Sequence, residues 1–325
     1  MKKFIKFLVR FILVLLVAAT VFFFWASSST LEESEYATLT TLENKAIPEN
    51  DSIFSIVTYN IGYLSGMTNN LAVEKPKVLF DKNLEKVVLE TAKVNPDIIA
   101  FQEIDFDASR SYHVNQQNKI AELGYNYIAE TVNWDKTYVP FPYWPPSMHF
   151  GKVVSGQSIL SKYPLKNHKR IVLERVADIP FYRDALYLDR LAQVVKVVLN
   201  GKEVVLINVH LEAFDKKTRE KQLAAVIELF QKYGATNPTI LLGDFNSDPS
   251  YENAAIEKVF ALPNVGNAAF SSEKYGFTYN SKNPLHRLDY IFYTTNSIEY
   301  VSGKVLTQFG EASDHLPVEM KFRLR

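Results

Sequence analysis

Two hydrophobic periods take turns along the chain, and the points where one gives way to the other mark out its elements. "SIFSIVTYN" (52–60) reads as a strand, and "DIIAFQE" (97–103) as a buried one. Between them "FDKNLEKVVLETAKV" (80–94) has helical spacing and is stopped by Asn95-Pro96. "VNQQNKIAELG" (114–124) predicts a short helix closed by Gly124. "YLDRLAQVVKVVL" and "KEVVLINVHL" flank Asn200-Gly201, a strong two-residue turn signal, and predict a long hairpin. A helix over 217–234 follows, then a strand at "TILLGDF" (239–245). "LDYIFYT", "EYVSGKVLT" and "LPVEMKFRL" complete the set as strands. Mixed sheets with helices outside predict an α/β sandwich, and the mid-chain hairpin argues against a purely parallel, doubly wound sheet.

The first residues follow a different rule. Lys2, Lys3, Lys6 and Arg10 precede a charge-free run from Phe11 to Ala26. Counted from Phe4, with Lys6 and Arg10 snorkelling, the apolar stretch approaches the ~20 residues that cross a bilayer. Phe22, Phe23, Phe24 and Trp25 form an aromatic belt at its far end. A retained single-pass membrane anchor (1–26) is preferred, with a signal cleaved near Ala26-Ser27-Ser28 and a secreted product as the alternative. Either way the basic flank places Ser27 onward outside the cytoplasm. Residues 27–51 are polar and acidic and are expected to be a flexible stalk, and 52–325 reads as one domain.

Composition narrows the chemistry. The chain lacks cysteine, which excludes disulfides, thiolate metal sites and cysteine nucleophiles. Lys plus Arg equals Asp plus Glu at 36 each, so no global field draws nucleic acid, although a local basic groove is compatible with that balance. Polar residues gather at strand ends: Asn60, Glu103, Asn208 with His210, Asp244 with Asn246, Asp289, and Asp314 with His315. Burying each of these separately would be costly, so the strand ends are expected to meet in one polar cleft. HExxH, GxSxG and Walker patterns do not occur. Oxygen donors without thiols suit Mg²⁺, with Mn²⁺ as the alternative, and the inventory fits metal-assisted attack of water on phosphorus.

The stretches "TYNIG", "FQEID", "SGQSILSKYPL", "NVHL", "GDFNSDP", "RLDYIFY" and "SDHLPV", in this order, resemble the endonuclease/exonuclease/phosphatase superfamily. That group includes deoxyribonuclease I, exonuclease III-type nucleases, neutral sphingomyelinases and inositol polyphosphate 5-phosphatases. The resemblance implies a four-layer α/β sandwich of two packed mixed sheets flanked by helices, here preceded by the N-terminal membrane helix. It further implies that Glu103 is the principal metal ligand, assisted by Asn60 and Asp314. His315 would be the catalytic histidine, oriented by Asp289. Asp244 would align or deprotonate the attacking water, and Asn246 would donate to a phosphate oxygen. His210, supported by Asn208, would stabilise the non-bridging oxygens. Whether Asp244 or His315 acts as base stays open.

Arg110 and Arg190 are candidates for phosphate contact or internal pairing. Gln157 stands where relatives often carry an asparagine, and Trp144 belongs to "VNWDKTYVPFPYWPPSMHFGK" (132–152), expected to be an aromatic-proline loop packed on its own domain or a binding wall. His113, His149, His168 and His286 are expected to lie outside the chemistry. Asp105 and Asp107 follow Glu103 closely and would repel a polyanion. The expected activity is a membrane-tethered, metal-dependent phosphoesterase acting on a small or lipid-derived phosphodiester. The alternatives are an extracytoplasmic nuclease and a catalytically silent binding domain. Nothing in the chain implies a protein partner.

Overall fold

The computed structural model describes residues 1–42, 52–270 and 276–325. Strands run in the order β1 (Ala37–Thr41), β2 (Phe54–Asn60), β3 (Ile98–Asp105), β4 (Tyr127–Val139), β5 (Gly151–Ser161), β6 (Leu165–Val172), β7 (Leu191–Leu199) and β8 (Lys202–His210). They continue with β9 (Thr239–Asp244), β10 (Val265–Asn267), β11 (Asp289–Thr294), β12 (Ile298–Val305) and β13 (Val318–Leu324). Helices are α1 (Lys2–Ser27), α2 (Lys77–Val94), α3 (Gln116–Ala121), α4 (Phe181–Asp184), α5 (Lys216–Gly234) and α6 (Glu257–Phe260). Asn95 closes α2 in the left-handed conformation, and the Asp215 side chain caps α5 by accepting from Thr218 N at 2.7 Å.

One sheet has the order β1-β4-β5-β3-β2-β13-β12 and the other β10-β11-β9-β8-β7-β6. Period-two alternation with both faces apolar explains the layering. Ile56, Ile98, Ala100, Leu206, Ile240 and Leu242 point between the sheets into a shared core. Their neighbours Val57, Ile99 and Phe101 face Phe80, Val87 and Ile120 of α2 and α3. Ile207 and Leu241 face Leu223, Val226 and Phe230 of α5. Helix, sheet, sheet and helix therefore stack as the sandwich expected from the sequence.

The strand directions decide where polar ends meet. β2 and β3 are parallel in one sheet, and β8 and β9 are parallel in the other. β13 runs antiparallel to β2 and β11 antiparallel to β9, so both begin where the parallel pairs finish. The ends of β2, β3, β8 and β9 and the starts of β11 and β13 thus share one edge of the sandwich. Gly243 permits the close fit on the β9 side: at φ +137° its Cα approaches β8 so closely that a Cβ would lie 2.0 Å from Val209 O.

Two expectations need correction. The first part of the supposed stalk is built into the domain, because β1 pairs with β4 from Ala37↔Thr131 to Thr41↔Tyr127. Asp135 gathers the chain ahead of β1, accepting from Thr30 N and Leu31 N at 2.9 Å and from Tyr36 Oη at 3.0 Å. Residues 43–51 of that segment lie outside the described residues. The aromatic-proline segment is likewise not one loop. Its first eight residues, 132–139, belong to β4, and β5 resumes at Gly151, so only the tip turns.

Candidate active site

Asp289 opens β11 directly opposite Asp244, the last residue of β9. Two buried carboxylates in facing register repel, and the arrangement holds because His315 lies between them. The His315 Nδ1–H donates to Asp289 Oδ2 at 2.9 Å, and Nε2 faces Asp244 Oδ2 at 3.9 Å. Burial disfavours the imidazolium, but the Asp289 and Asp244 carboxylates outweigh it and hold the His315 pKa well above the ordinary histidine value. Asp244 is pushed up to about 7, first by burial and then by Asp289, with the His315 charge opposing. The Tyr279 ring covers His315 at 5.0 Å between centroids.

Asn60 and Asn246 fix the Asp244 carboxylate. Asn60 Nδ2 donates to Asp244 Oδ2 at 2.9 Å, and Asn246 donates from its backbone N to Oδ1 at 2.9 Å and from Nδ2 to Oδ2 at 3.3 Å. Both amides are also engaged within the protein. Asn60 Oδ1 accepts from Gly62 N at 3.1 Å, so Asn60 orients Asp244. Asn246 Nδ2 also donates to Leu211 O at 3.0 Å, which commits its amide hydrogens internally instead of to a phosphate oxygen.

Glu103 sits at a bulge of β3, where the register with β5 shifts between Phe101 and Ile104, and its φ is +51°. That conformation turns its side chain into the cleft toward Asp314. One amide nitrogen, Asn69 Nδ2, reaches both carboxylates, at 2.9 Å to Glu103 Oε2 and 3.3 Å to Asp314 Oδ1. Burial, followed by the Asp314 charge, raises the Glu103 pKa above the usual carboxylate range. Two converging carboxylates joined by an amide form a set of hard oxygen donors that fits a divalent cation. Asn69 escaped sequence reading because "MTNNL" has the composition of an ordinary turn.

His210 ends β8 in register with Asp244. Arg190 Nη1 donates to His210 Nε2 at 2.6 Å, which places the ring proton on Nδ1. Burial first, then the Arg190 and His315 charges, push the His210 pKa well below its ordinary value, so it is a neutral imidazole. Arg190 also donates to Glu212 Oε2 at 3.4 Å, and Tyr187 Oη donates to the same oxygen at 3.2 Å. Arg190 lines the cleft beside Glu103, His210, Asp244, Asp314 and His315. Glu212 and Tyr187 were not singled out in the sequence, although "NVHLEAF" places the former two residues after His210.

The other candidates lie outside this cleft. Arg110 pairs with Asp105, at 2.7 Å from Nη2 and 3.1 Å from Nε, and stacks 3.5 Å over the Tyr63 ring. It is an internal ion pair, not a phosphate contact. Asp107 pairs with Lys152 at 2.6 Å, so the two acidic residues after Glu103 do not present the repulsive field expected of them. Asn208 is an inter-sheet clamp: it donates to Phe101 O and Gln193 Oε1 at 3.0 Å and accepts from Gln102 Nε2 at 2.6 Å. Gln157 Nε2 donates to Asn208 O at 2.9 Å, fully buried. Trp144 is 79% exposed at the hairpin tip and does not line the cleft.

A family model described as "Endonuclease/Exonuclease/phosphatase family" matches residues 57–315, a span that begins in β2 and ends on His315. The chain belongs to this family. It is 24% identical over 233 residues to the uncharacterized protein YbhP of Escherichia coli K12, covering 71% of this chain and 85% of the relative. Among solved structures it is similar to the catalytic domain of human nocturnin with bound sulfate, at a TM-score of 0.58 and 21% identity over 89% of this chain and 98% of that one. A mannosyl-6-phosphatase of Bacteroides thetaiotaomicron superposes with a TM-score of 0.57 and 18% identity over 83% of this chain and 99% of that one. These structural likenesses establish the fold, and the family is one of phosphoesterases and nucleases that typically use divalent metals.

Proposed function

We propose that this family member is a divalent-metal-dependent phosphoesterase, held at a membrane by α1 with its catalytic domain outside the cytoplasm, that hydrolyses a small or lipid-derived phosphodiester. The observation that carries the reading is the pairing of two arrays in one cleft: the Glu103 and Asp314 carboxylates, bridged by the Asn69 amide nitrogen, and the Asp244–His315–Asp289 acid–base set. Glu103 and Asp314 would hold the cation, Mg²⁺ or Mn²⁺, which when bound supplies positive charge against the phosphoryl oxygens.

The chain's own groups divide the remaining work. Asp244, with a pKa of about 7 and held by Asn60 and Asn246, takes the proton of the attacking water. His315, protonated and aligned by Asp289, gives its Nε2 proton to the departing oxygen as the P–O bond breaks. Arg190, backed by Glu212, places its cationic group next to neutral His210, where it would stabilise charge on the non-bridging oxygens. A nuclease reading gains from the neutralised Asp105 and Asp107, which removes an objection to a polyanionic substrate.

Hydrolysis of bis-p-nitrophenyl phosphate and of DNA by the full chain in detergent, with Mg²⁺, Mn²⁺ or EDTA, tests this reading. Turnover should require metal and be lost in His315→Ala, and Mn²⁺ binding by the wild type should be lost in Glu103→Gln. Turnover undiminished by EDTA, or absent on every substrate from metal-bound protein, would overturn it.

A further inference from the structure

The cleft of about 930 Å³ has two chemically distinct regions. Opposite the Glu103–His315 region, its wall is apolar: Trp134, Val139, Phe141, Phe150, Leu186 and Leu188. Trp134 and Phe150 meet edge to face at 6.1 Å, Phe141 and Phe150 at 5.3 Å, and Trp134 Nε1 is satisfied by Leu186 O at 2.9 Å. Arg110 lies 5.0 Å over both the Trp134 and the Phe150 ring, and the remaining wall is apolar, without an unmet polar atom on Trp134, and suited to an apolar chain.

Each of the two segments that build this wall, the β4–β5 hairpin and the stretch from α4 onward, also touches α1. Tyr138 stacks on Trp25 at 5.8 Å and meets Phe22 at 5.8 Å, and the next residues, Val139, Pro140 and Phe141, line the cleft. Phe181 meets Phe23 at 5.7 Å, and the next residues, Tyr182 and Arg183, line the cleft. The junction is rigidified by Lys136 Nζ donating to Ser27 O at 3.1 Å and Thr137 N donating to Ser28 O at 2.8 Å. Phe23 lies four residues before the end of α1, or about 6 Å along the helix axis. A bilayer that takes in α1 up to its aromatic belt therefore also meets Phe181 and the Tyr138 end of the hairpin. Those segments carry large exposed aromatics, Phe181 at 75% and Trp144 at 79%.

We propose that the hairpin tip and the α4 loop dock the cleft mouth onto the bilayer that holds α1, and that the substrate is a phosphate-ester amphiphile drawn from that bilayer, its chain along the Trp134–Phe150 wall and its phosphate at Glu103 and His315. This rests on the phosphoesterase reading and names the substrate class of the same site. Continuity with the α1–β4 junction identifies the bilayer as the occupant of the exposed aromatic rim.

The test uses the full chain in phosphatidylcholine vesicles. Trp25, Trp134 and Trp144 are its tryptophans. Lipid brominated near the carbonyl should quench Trp25 in both wild type and Trp144→Phe, and should quench a larger share of the emission in the wild type. A quenchable share no larger in the wild type than in Trp144→Phe, or no quenching at all, would overturn the docking whatever the activity.

In the same vesicles, hydrolysis of lysophosphatidylcholine and phosphatidic acid is compared with that of soluble bis-p-nitrophenyl phosphate. Trp144→Ser/Phe181→Ser should lower lipid turnover by roughly tenfold or more and leave the soluble ester unchanged. Soluble turnover without lipid turnover, or equal losses on both, would overturn the substrate class while leaving the phosphoesterase reading intact. Turnover of neither would overturn both readings of the chemistry, and the quenching would still decide the docking.

Discussion

His168 on β6 ties together strands of both sheets. Its Nδ1–H donates to Thr38 O of β1 at 3.1 Å, and Nε2 accepts from Thr131 Oγ1 of β4 at 2.8 Å and from Gln193 Nε2 of β7 at 3.1 Å. These partners specify a neutral ring, because the Gln193 amide nitrogen only donates. Burial pushes the His168 pKa down from 6.5 to about 4, against the opposing bond to Thr38. Below pH 6.5 the unfolded chain takes up a proton that the native ring refuses. The contribution is therefore complete above that pH and is lost as the pH falls toward 4. The full interval is worth about 3 kcal/mol, of which about 1.4 kcal/mol is gone by pH ~5.5. That is a sizeable part of the ~5–15 kcal/mol that stabilises a typical domain. Urea unfolding of the full chain in detergent micelles, near neutral pH and at pH ~5.5, should show the wild type losing about 1.4 kcal/mol more than His168→Gln, which keeps a donor and an acceptor but does not titrate. Parallel losses in the two proteins would refute the assignment of a neutral, native-specific His168.

Three further outcomes test the cleft and its frame. Asp289→Asn removes the carboxylate behind His315 and should lower kcat by roughly 10³-fold or more at neutral pH, with KM moved far less; a drop under about tenfold would take Asp289 out of the machinery. Because Asp244 must be ionised to accept a proton, kcat/KM should rise with pH through an acid limb centred no higher than about 7, and a flat profile across that range would remove Asp244 as base. Gly243→Ala would place a Cβ 2.0 Å from Val209 O at a positive φ, and should cost about 3 kcal/mol or more in urea unfolding. An unshifted midpoint would show that β8 and β9 can separate.

The frame was legible where hydrophobic period was strong. The hairpin across Asn200-Gly201, α2, α5 and the strands around Ile98 and Leu241 follow from alternation and turn chemistry alone. β1 was hidden because it is an edge strand: Thr38, Thr40 and Thr41 suit a pleated edge, but the surrounding acidic residues gave the segment the composition of a linker. β4 was obscured by the prolines that follow it, although Ile128 and Val132 already face the core. For the site, residue type and strand end located the cleft, which holds Glu103, Asp244, His210, Asp314 and His315. What composition does not encode is direction. Asn60, Asn208 and Gln157 are polar and close to the chemistry, yet their amides are spent on Asp244, on the opposite sheet and on β8 backbone.

The junction between α1 and β4 turns what would have been a leash into a rigid mount. A domain on a slack tether explores a hemisphere, and its cleft meets partners at any height and in any orientation. Here Thr30, Leu31 and Tyr36 are fastened to Asp135, and the next residues are hydrogen-bonded into a sheet. With those bonds intact and α1 in a bilayer as proposed, spinning about the helix axis and sliding in the plane would be the principal motions left. The search for substrate would then be two-dimensional, conducted at one fixed altitude.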